Sequence, residues 1–517
     1  MDTPRLTLGP RSWLFILGTL LLRIPSMGKS LWFDEIYRTS VHMNPERALV
    51  TLLGDVHNPL YNSFMYLWIR LVGESGWALR LPSLVAAYLS VFFFCRWLAR
   101  IVSPRLARWT GAWLLVAPAH LWYSTDAKNN AFTVLFSVLA LVAWWRLVEE
   151  GTRRALVRAG LATAVAILCD FATLIMILPA MACALIDRRG QALGVRLRSA
   201  GMGLVIALGT TAPLLVYKAA NLDSLNRSYV RHFDLRELFL LFANYFPTGN
   251  AILPYPPTSP EHAFEGVRLA LYACTGGLCL GLLALGLVAS RSASRSSAPQ
   301  PSASLKTPRA PGTQAIWLAL PLLLPLAGLF LASFVLHNVW FDRGRYMYQE
   351  RNMLVLLYPF AASLFSGALS LHAALVRRTA LTLLMSLPLI ASALLLGPRA
   401  NEWTVYKPAP DWRAAAVWLQ VNLATDTHPI ILECAPGAAL GHYAPHLRRV
   451  RLSSWPPPAR QLDELAASLG VEEFTLISND YWHPVVPELL QDTAPSWRME
   501  HLLELRSLQI YRLWAVE

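Results

Sequence analysis

The sequence predicts an α-helical polytopic membrane protein with a small α/β domain at its C-terminal end. Three observations predict it. Apolar stretches recur along residues 12–396 of a chain that is 55% hydrophobic and only 15% charged, whereas soluble domains average about 25% charged residues. Short Arg clusters fall between those stretches in the manner that orients membrane helices. Beyond residue 397 the pattern changes to short β-like runs and amphipathic helices. The net charge of +13 resides largely in the orienting clusters, so it does not point to nucleic acid.

A crossing takes about 20 apolar residues. The sequence offers eleven such stretches, at 12–27, 79–98, 109–123, 129–147, 155–169, 171–186, 200–217, 266–289, 314–336, 352–373 and 379–396. The first follows Arg5 and Arg11 but lacks a clean small-x-small cleavage site, so it reads as a retained anchor. The run 155–186 is too long for one crossing and holds Asp170 near its middle. Two short crossings with Asp170 at the tip solve this. They put Arg96/Arg100/Arg105/Arg108, Arg146/Arg153/Arg154/Arg158, Arg188/Arg189/Arg196/Arg198, Arg291/Arg295/Lys306/Arg309 and Arg377/Arg378 all on the cytoplasmic side. The expected topology is therefore eleven spans in the plasma (inner) membrane, with the N-terminus cytoplasmic and the C-terminal domain extracytoplasmic.

Residues 1–396 form the expected transmembrane domain and 397–517 the α/β domain. Outside the membrane lie the loop 28–78, the turn Tyr123–Asn130, the loop 218–265 and the C-terminal domain. The Ser/Pro/Ala/Arg-rich segment 290–312 reads as a flexible cytoplasmic linker. In the first loop, Asn44-Pro45-Glu46 starts a short helix over 45–53. Pro59 to Val72 is apolar but too short to cross, so it is expected to lie in the interface plane. In the C-terminal domain, residues 411–419 form an amphipathic helix, and 429–433, 474–478 and 508–511 read as strands. Helical stretches at Gln461–Leu469 and Pro487–Gln491 separate them. Five of the six Cys lie in apolar segments and Cys434 stands alone, so there is neither a disulfide framework nor a metal-type CxxC spacing.

The chemistry-bearing residues cluster outside. Asp34 and Glu35 follow the first apolar stretch directly, in Leu31-Trp32-Phe33-Asp34-Glu35. Acids held against a bilayer are costly to desolvate unless something uses or satisfies them. The bland reading is a Trp-Phe interfacial belt followed by two solvated acids. Four further clusters share their face: His57-Asn58-Pro59-Leu60-Tyr61, Arg80 at the start of the second crossing, Tyr123-Ser124-Thr125-Asp126-Ala127-Lys128, and Asp342-Arg343-Gly344-Arg345-Tyr346. Singly, Arg80 reads as a snorkelling residue, Asp126 as a helix cap and His57 as turn chemistry. Together, acids and cations on one membrane face suit transfer of a group from a phosphate leaving group. Cations stabilise the departing phosphate, and a carboxylate takes the acceptor's proton.

Trp32-Phe33-Asp34-Glu35, His57-Asn58-Pro59-Leu60-Tyr61 and Ala78-Leu79-Arg80-Leu81-Pro82-Ser83 resemble the opening of the polytopic GT-C glycosyltransferases. The nearest members are the family-39 protein-mannosyltransferase-like and lipid A aminoarabinose-transferase-like enzymes. Tyr123–Lys128 resembles their second acidic motif, and Asp411-Trp412-Arg413-Ala414-Ala415 a motif that often opens their soluble portion. The match is specific over residues 20–150 and looser beyond. Departures are His57-Asn58-Pro59 where the family has His-Pro-Pro, Asp126-Ala127-Lys128 where it has Glu-Ala-Arg, and Asp170-Phe171 at a tip that often carries Lys or His.

The resemblance implies a polyprenyl-phosphate sugar donor, a hydroxyl acceptor on a glycan, lipid or protein, and inverting transfer on the non-cytoplasmic face. It makes Asp34 the essential acid, Asp126 the second-motif acid and Lys128 its cation. Glu35 and Asp126 then position the acceptor, or a metal if one is used. Arg80, Lys128, Arg343 and Arg345 are the expected donor-phosphate grip, with His57, Tyr61 and Tyr346 contacting substrate or ordering loops. No cofactor is certain from the sequence; a divalent metal is possible, since acids and His57 are available, but no ligand spacing singles out a site. The alternative is a transporter or flippase of a lipid-linked substrate. Transporters place charges at mid-membrane, often in repeats. Here no repeat is visible, and the intramembrane ionisable candidates are Arg23, near the outer end of the first stretch, and Asp170, at a hairpin tip.

Overall fold

The first apolar stretch folds as two helices, α1 (Pro10–Leu21) and α2 (Ile24–Met27), where one crossing was expected at 12–27. Pro25 cannot donate to the helical ladder, and Arg23 occupies the turn between them. This computed structural model describes residues 10–31, 35–36, 59–187, 192–220, 239–249, 273–286, 288, 313–335, 350–395, 411–423, 431–433, 438–452, 459–478, 494–505 and 508–516. The helix expected at 45–53, the linker 290–312 and the helical stretch Pro487–Gln491 lie outside the described residues.

α3 (Pro59–Val72) and α4 (Gly76–Ile101) follow. The expected crossing at 109–123 is also broken, into α5 (Pro104–Val116) and α6 (Pro118–Tyr123), with Ala117 extended between them. Steric conflict with a following proline drives a residue out of helical geometry. α7 (Asn130–Glu150) ends on Gly151 at φ 60°, a left-handed C-terminal cap. The run 155–186 breaks where Asp170 was expected to break it. α8 (Arg153–Cys169) stops there, Asp170 is extended, and a 3-10 turn at Phe171–Thr173 leads into α9 (Leu174–Ile186).

α10 (Leu193–Ala220), α11 (Ala273–Gly286), α12 (Thr313–Val335), α13 (Leu357–Ser370) and α14 (Ala374–Leu395) complete the helices of this part. The segment 218–265 is not all loop: Leu241–Tyr245 form a π-helical turn that continues as Phe246–Thr248, and every one of these residues is buried. Its aromatic and aliphatic side chains have too much apolar surface to leave in water. Among the described residues, Gly76–Ile101, Asn130–Glu150, Leu193–Tyr217, Met353–Ser370 and Ala374–Leu394 are long and apolar enough to cross a membrane. Four shorter apolar helical stretches accompany them, at Ser12–Met27 (α1 and α2), Phe171–Ile186, Ala273–Gly286 and Ile316–Gly328.

The chain divides into two compact units. The first comprises Met1–Ser26, Leu49–Val72 and Ala78–Tyr406. In it α8 packs on α7 and α10, α9 on α7 and α12, and α13 on α5. Glycines set the close approaches. A Cβ on Gly160 would stand 2.8 Å from Ile206 and 2.9 Å from the Gly203 carbonyl oxygen, and one on Gly367 would collide with the Leu282 carbonyl. Without a hydrophobic drive between helices in lipid, such small residues are what let backbones approach. Trp113, Trp144, Trp145 and Trp317 fill the core between.

The second unit comprises Met27–Ala48, Gly73–Trp77 and Lys407–Glu517. Its helices are α15 (Trp412–Asn422), N-capped by the Asp411 carboxylate, α16 (Ala438–Tyr443) and α17 (Ala459–Leu469). Five strands, β1 (Ile431–Glu433), β2 (Arg449–Arg451), β3 (Glu473–Ser478), β4 (Trp497–Leu505) and β5 (Leu508–Ala515), form one sheet in the order β2-β1-β3-β5-β4. β1 runs parallel to β2 and β3, while β5 is antiparallel to β3 and β4. Phe474, Trp497 and Leu513 anchor its core, with Trp497 Nε1 donating to Asp463 at 2.9 Å.

Candidate functional site

Of the ten residues singled out, Glu35, Tyr61, Arg80, Asp126 and Lys128 are described, and all five are buried. Asp34, His57, Arg343, Arg345 and Tyr346 lie outside the described residues.

In the first unit the centre is the turn Ser124–Asn129 between α6 and α7. Asp126 is 5% exposed and Lys128 6%. The turn is tight because the Lys128 N–H donates to the Asp126 carbonyl at 2.8 Å. α4 meets it through Ser83, and Arg80, three residues earlier on the same helix face, reaches the end of α2 instead. Ser83 Oγ donates to the Lys128 carbonyl at 3.3 Å, and Arg80 Nη1 donates to the Ser26 carbonyl at 3.2 Å. The break at Asp170 meets the turn from another direction. Its Oδ2 accepts from Asn129 Nδ2 at 2.6 Å and from Thr133 Oγ1 at 3.3 Å, and its Oδ1 accepts the Ala172 N–H at 2.9 Å.

Arg23 braces the same turn. The side chain is fully buried. Its Nε donates to Ser124 Oγ at 2.7 Å, Nη1 to the Thr19 carbonyl at 2.7 Å and Nη2 to the Leu115 carbonyl at 3.0 Å. Nη2 also meets His120 Nδ1 at 3.1 Å, and the guanidinium stands 5.1 Å from the Tyr88 ring. A buried charge needs such a set of acceptors to offset its lost hydration. The sequence signal was an ionisable residue inside an apolar stretch, but nothing local points to Ser124, His120 or Asn129 as partners. Tyr61, placed by α3, packs edge-on against Phe132 of α7 with ring centroids 5.2 Å apart.

In the second unit Glu35 is 3% exposed and the neighbouring Ile36 is fully buried. Upstream, the Leu31 N–H donates to Tyr443 Oη at 2.7 Å, and Ser30 Oγ donates to the same oxygen at 3.4 Å. The Arg413 N–H donates to Ser30 Oγ and its Nη1 to the Gly28 carbonyl, both at 3.4 Å. The guanidinium lies 5.7 Å from the Tyr443 ring. His442 stacks edge-on to Tyr443 at 5.0 Å. Burial lowers the His442 pKa from its ordinary value and Arg413 adds to that, while Glu74 opposes it. Beside these residues runs a cavity of about 690 Å³ lined in part by Lys29, Arg413, Val417, Trp418 and Leu503. Among the described residues no group of three His, Cys, Asp or Glu stands ready to hold a metal.

Residues 56–217 match the family described as dolichyl-phosphate-mannose-protein mannosyltransferase. That stretch is under a third of the chain and contains His57, Tyr61, Arg80, Asp126, Lys128 and Asp170. The whole chain shares its fold with ArnT from Cupriavidus metallidurans bound to undecaprenyl phosphate, at 14% identity and a TM-score of 0.52, covering 98% of each chain. The apo state of that ArnT aligns at 15% identity and a TM-score of 0.46 over 97% of each chain. The arabinofuranosyltransferase AftD from Mycobacteria aligns at 12% identity and 0.45, over 99% of this chain and 42% of AftD. No curated protein sequence matches.

Proposed function

On the frame of a membrane glycosyltransferase of the GT-C kind, we propose that this chain moves a sugar from a polyprenyl-phosphate-linked donor to a hydroxyl acceptor, with inversion, on the non-cytoplasmic face. The observation that carries the proposal is the buried turn Ser124–Asn129, which holds Asp126 and Lys128 and is bonded by Arg23, Ser83 and Asp170. A bilayer protein bears the cost of burying acids and cations together where they act. The undecaprenyl phosphate bound by ArnT supports the donor class.

In the proposed step the acceptor hydroxyl gives its proton to the Asp34 carboxylate as its oxygen attacks the anomeric carbon. The bond from that carbon to the phosphate oxygen breaks, and the electron pair leaves with the polyprenyl phosphate. Arg80 and Lys128, joined by Arg343 and Arg345, stabilise the departing charge. One displacement inverts the anomeric centre. Glu35 and Asp126 orient the acceptor, and His57, Tyr61 and Tyr346 order the loops or contact the sugar. The acceptor is a glycan, a lipid or a protein hydroxyl.

The test is Asp34→Asn in purified protein, assayed for transfer from a polyprenyl-phosphate sugar. A loss of about 100-fold or more is expected for removal of a positioned base, with the folded fraction unchanged. Undiminished turnover sinks the assignment. One feature favours the transporter reading: α1 and α2 are broken at a buried Arg23, as in helices that line transport sites. Translocation of labelled lipid in proteoliposomes, with no glycosidic bond formed, would select it.

A further inference from the structure

The first-loop segment that leads into Asp34 is held by residues more than 380 positions away in sequence. Tyr443 lies at the end of α16, and its hydroxyl accepts the Leu31 N–H at 2.7 Å. Leu31 is 1% exposed, so this backbone donor has little water to turn to. Arg413, in the first turn of α15, closes the other side through its own N–H to Ser30 and its Nη1 to the Gly28 carbonyl. Asp411 fixes that first turn by accepting the Ala414 N–H at 3.1 Å. α15 and α16 pack on each other. Trp77 closes the approach to Gly28, with its Nε1 3.4 Å from where a Cβ would stand.

From these contacts we infer that Tyr443 and Arg413 are positioning residues for the first-loop acids, and that holding this loop is a principal task of the C-terminal unit. Leu31 is gripped, and Glu35, four positions on, is buried. Where a carboxylate must sit within reach of the hydroxyl it acts on, an anchor just upstream in its chain limits how far it can stray. The Asp411-Trp412-Arg413 motif thereby acquires a role. Asp411 caps, Trp412 (2% exposed) is buried, and Arg413 grips the loop. The inference rests on the glycosyl-transfer reading for its catalytic meaning and on hydrogen bonds alone for its mechanical one.

The experiment uses the full chain in lipid nanodiscs, as wild type, Tyr443→Phe, Arg413→Met and Asp34→Asn. Tyr443→Phe keeps the ring and its packing but removes the oxygen that accepts from Leu31. Two readouts are taken: amide hydrogen exchange of peptides within 28–36, and turnover of radiolabelled polyprenyl-phosphate sugar extracted from host membranes. Exchange at 28–36 is expected to quicken roughly fivefold in Tyr443→Phe, about the worth of one hydrogen bond, while β3 and β5 exchange as in wild type. The rate constant kcat is expected to fall several-fold with the donor KM unchanged. Unchanged exchange at 28–36 in both clamp variants overturns the inference, as does loosening that spreads equally to β3 and β5. Local loosening with kcat unaffected overturns the catalytic half. If wild type itself turns over no donor while 28–36 still loosens, the transfer reading fails and the mechanical clamp stands.

Discussion

Asn129 and Asp170 lie 41 residues apart in sequence and meet in a 2.6 Å hydrogen bond, Nδ2 donating to Oδ2. The bond ties the break between α8 and α9 to the residue that follows Lys128. It thereby makes the position of a candidate phosphate-binding cation depend on a helix pair that contributes no cation to the turn. Asp170→Asn should set two amide donors against each other and lower kcat/KM about 10-fold to 100-fold, the worth of a hydrogen bond to a charged group. Combining it with Asn129→Asp restores one donor and one acceptor. Steady-state kinetics should then show recovery; a double variant as poor as the single ones would refute the tie.

Lys128 carries the second prediction. If it stabilises the departing phosphate, Lys128→Met should lower kcat/KM about 100-fold, the range seen when one stabilising donor of a transition-state anion is removed. Lys128→Arg should recover a part, since it keeps the charge but alters the geometry. Donor titrations with both variants check this, and equal activity of Lys128→Met and wild type would remove Lys128 from the site.

Arg23 makes a prediction about stability. Its guanidinium satisfies Ser124 Oγ and the Thr19 and Leu115 carbonyls in one fully buried place. Arg23→Met should destabilise the folded protein by about 2–3 kcal/mol, because those acceptors are left without their charged donor. A compact ammonium cannot reach all three, so Arg23→Lys should restore little. Thermal unfolding in detergent, followed by Trp fluorescence, measures both.

The His442 ring beside Tyr443 should make the second unit acid-sensitive. Its folded pKa lies below the ordinary 6.5. Above that pH the imidazole is neutral in both folded and unfolded chains, and its contribution to stability is complete. As the pH falls through 6.5 the unfolded chain binds the proton first, so stability declines until the folded pKa is passed. Hydrogen exchange of 438–443 at pH 7.5 and about 5.5 should show protection lost on acidification in wild type, and a smaller loss in His442→Gln. Equal losses in the two proteins would remove His442 as the source.

Much of this protein is legible in local pattern. Apolar runs marked where helices lie, because lipid-facing and core-facing surfaces both demand apolar residues over lengths that local composition displays. Asp170 announced the break between α8 and α9, and β1, β3 and β5 stood out as β-branched or aliphatic runs. The pattern failed where it was short or interrupted. β2 is only Arg-Val-Arg, and β4 loses its alternation at the irregularity between His501 and Leu503. Pro25 and Pro118 were visible, yet composition over a window outweighed the single residue that breaks each helix.

The candidate acids and cations were likewise readable as residue types: Asp34 and Glu35 after the first helix, Arg80 at the start of α4, Asp126 and Lys128 before α7. Their partners were not. Arg23 meets Ser124 across 101 positions, Asp170 meets Asn129 across 41, and Leu31 meets Tyr443 across 412. Hydrophobic periodicity and turn chemistry act between neighbours in the chain, and so they are written in it. A hydrogen bond that closes a loop of hundreds of residues depends on how whole helices pack, and no stretch of sequence carries that information before the chain has folded.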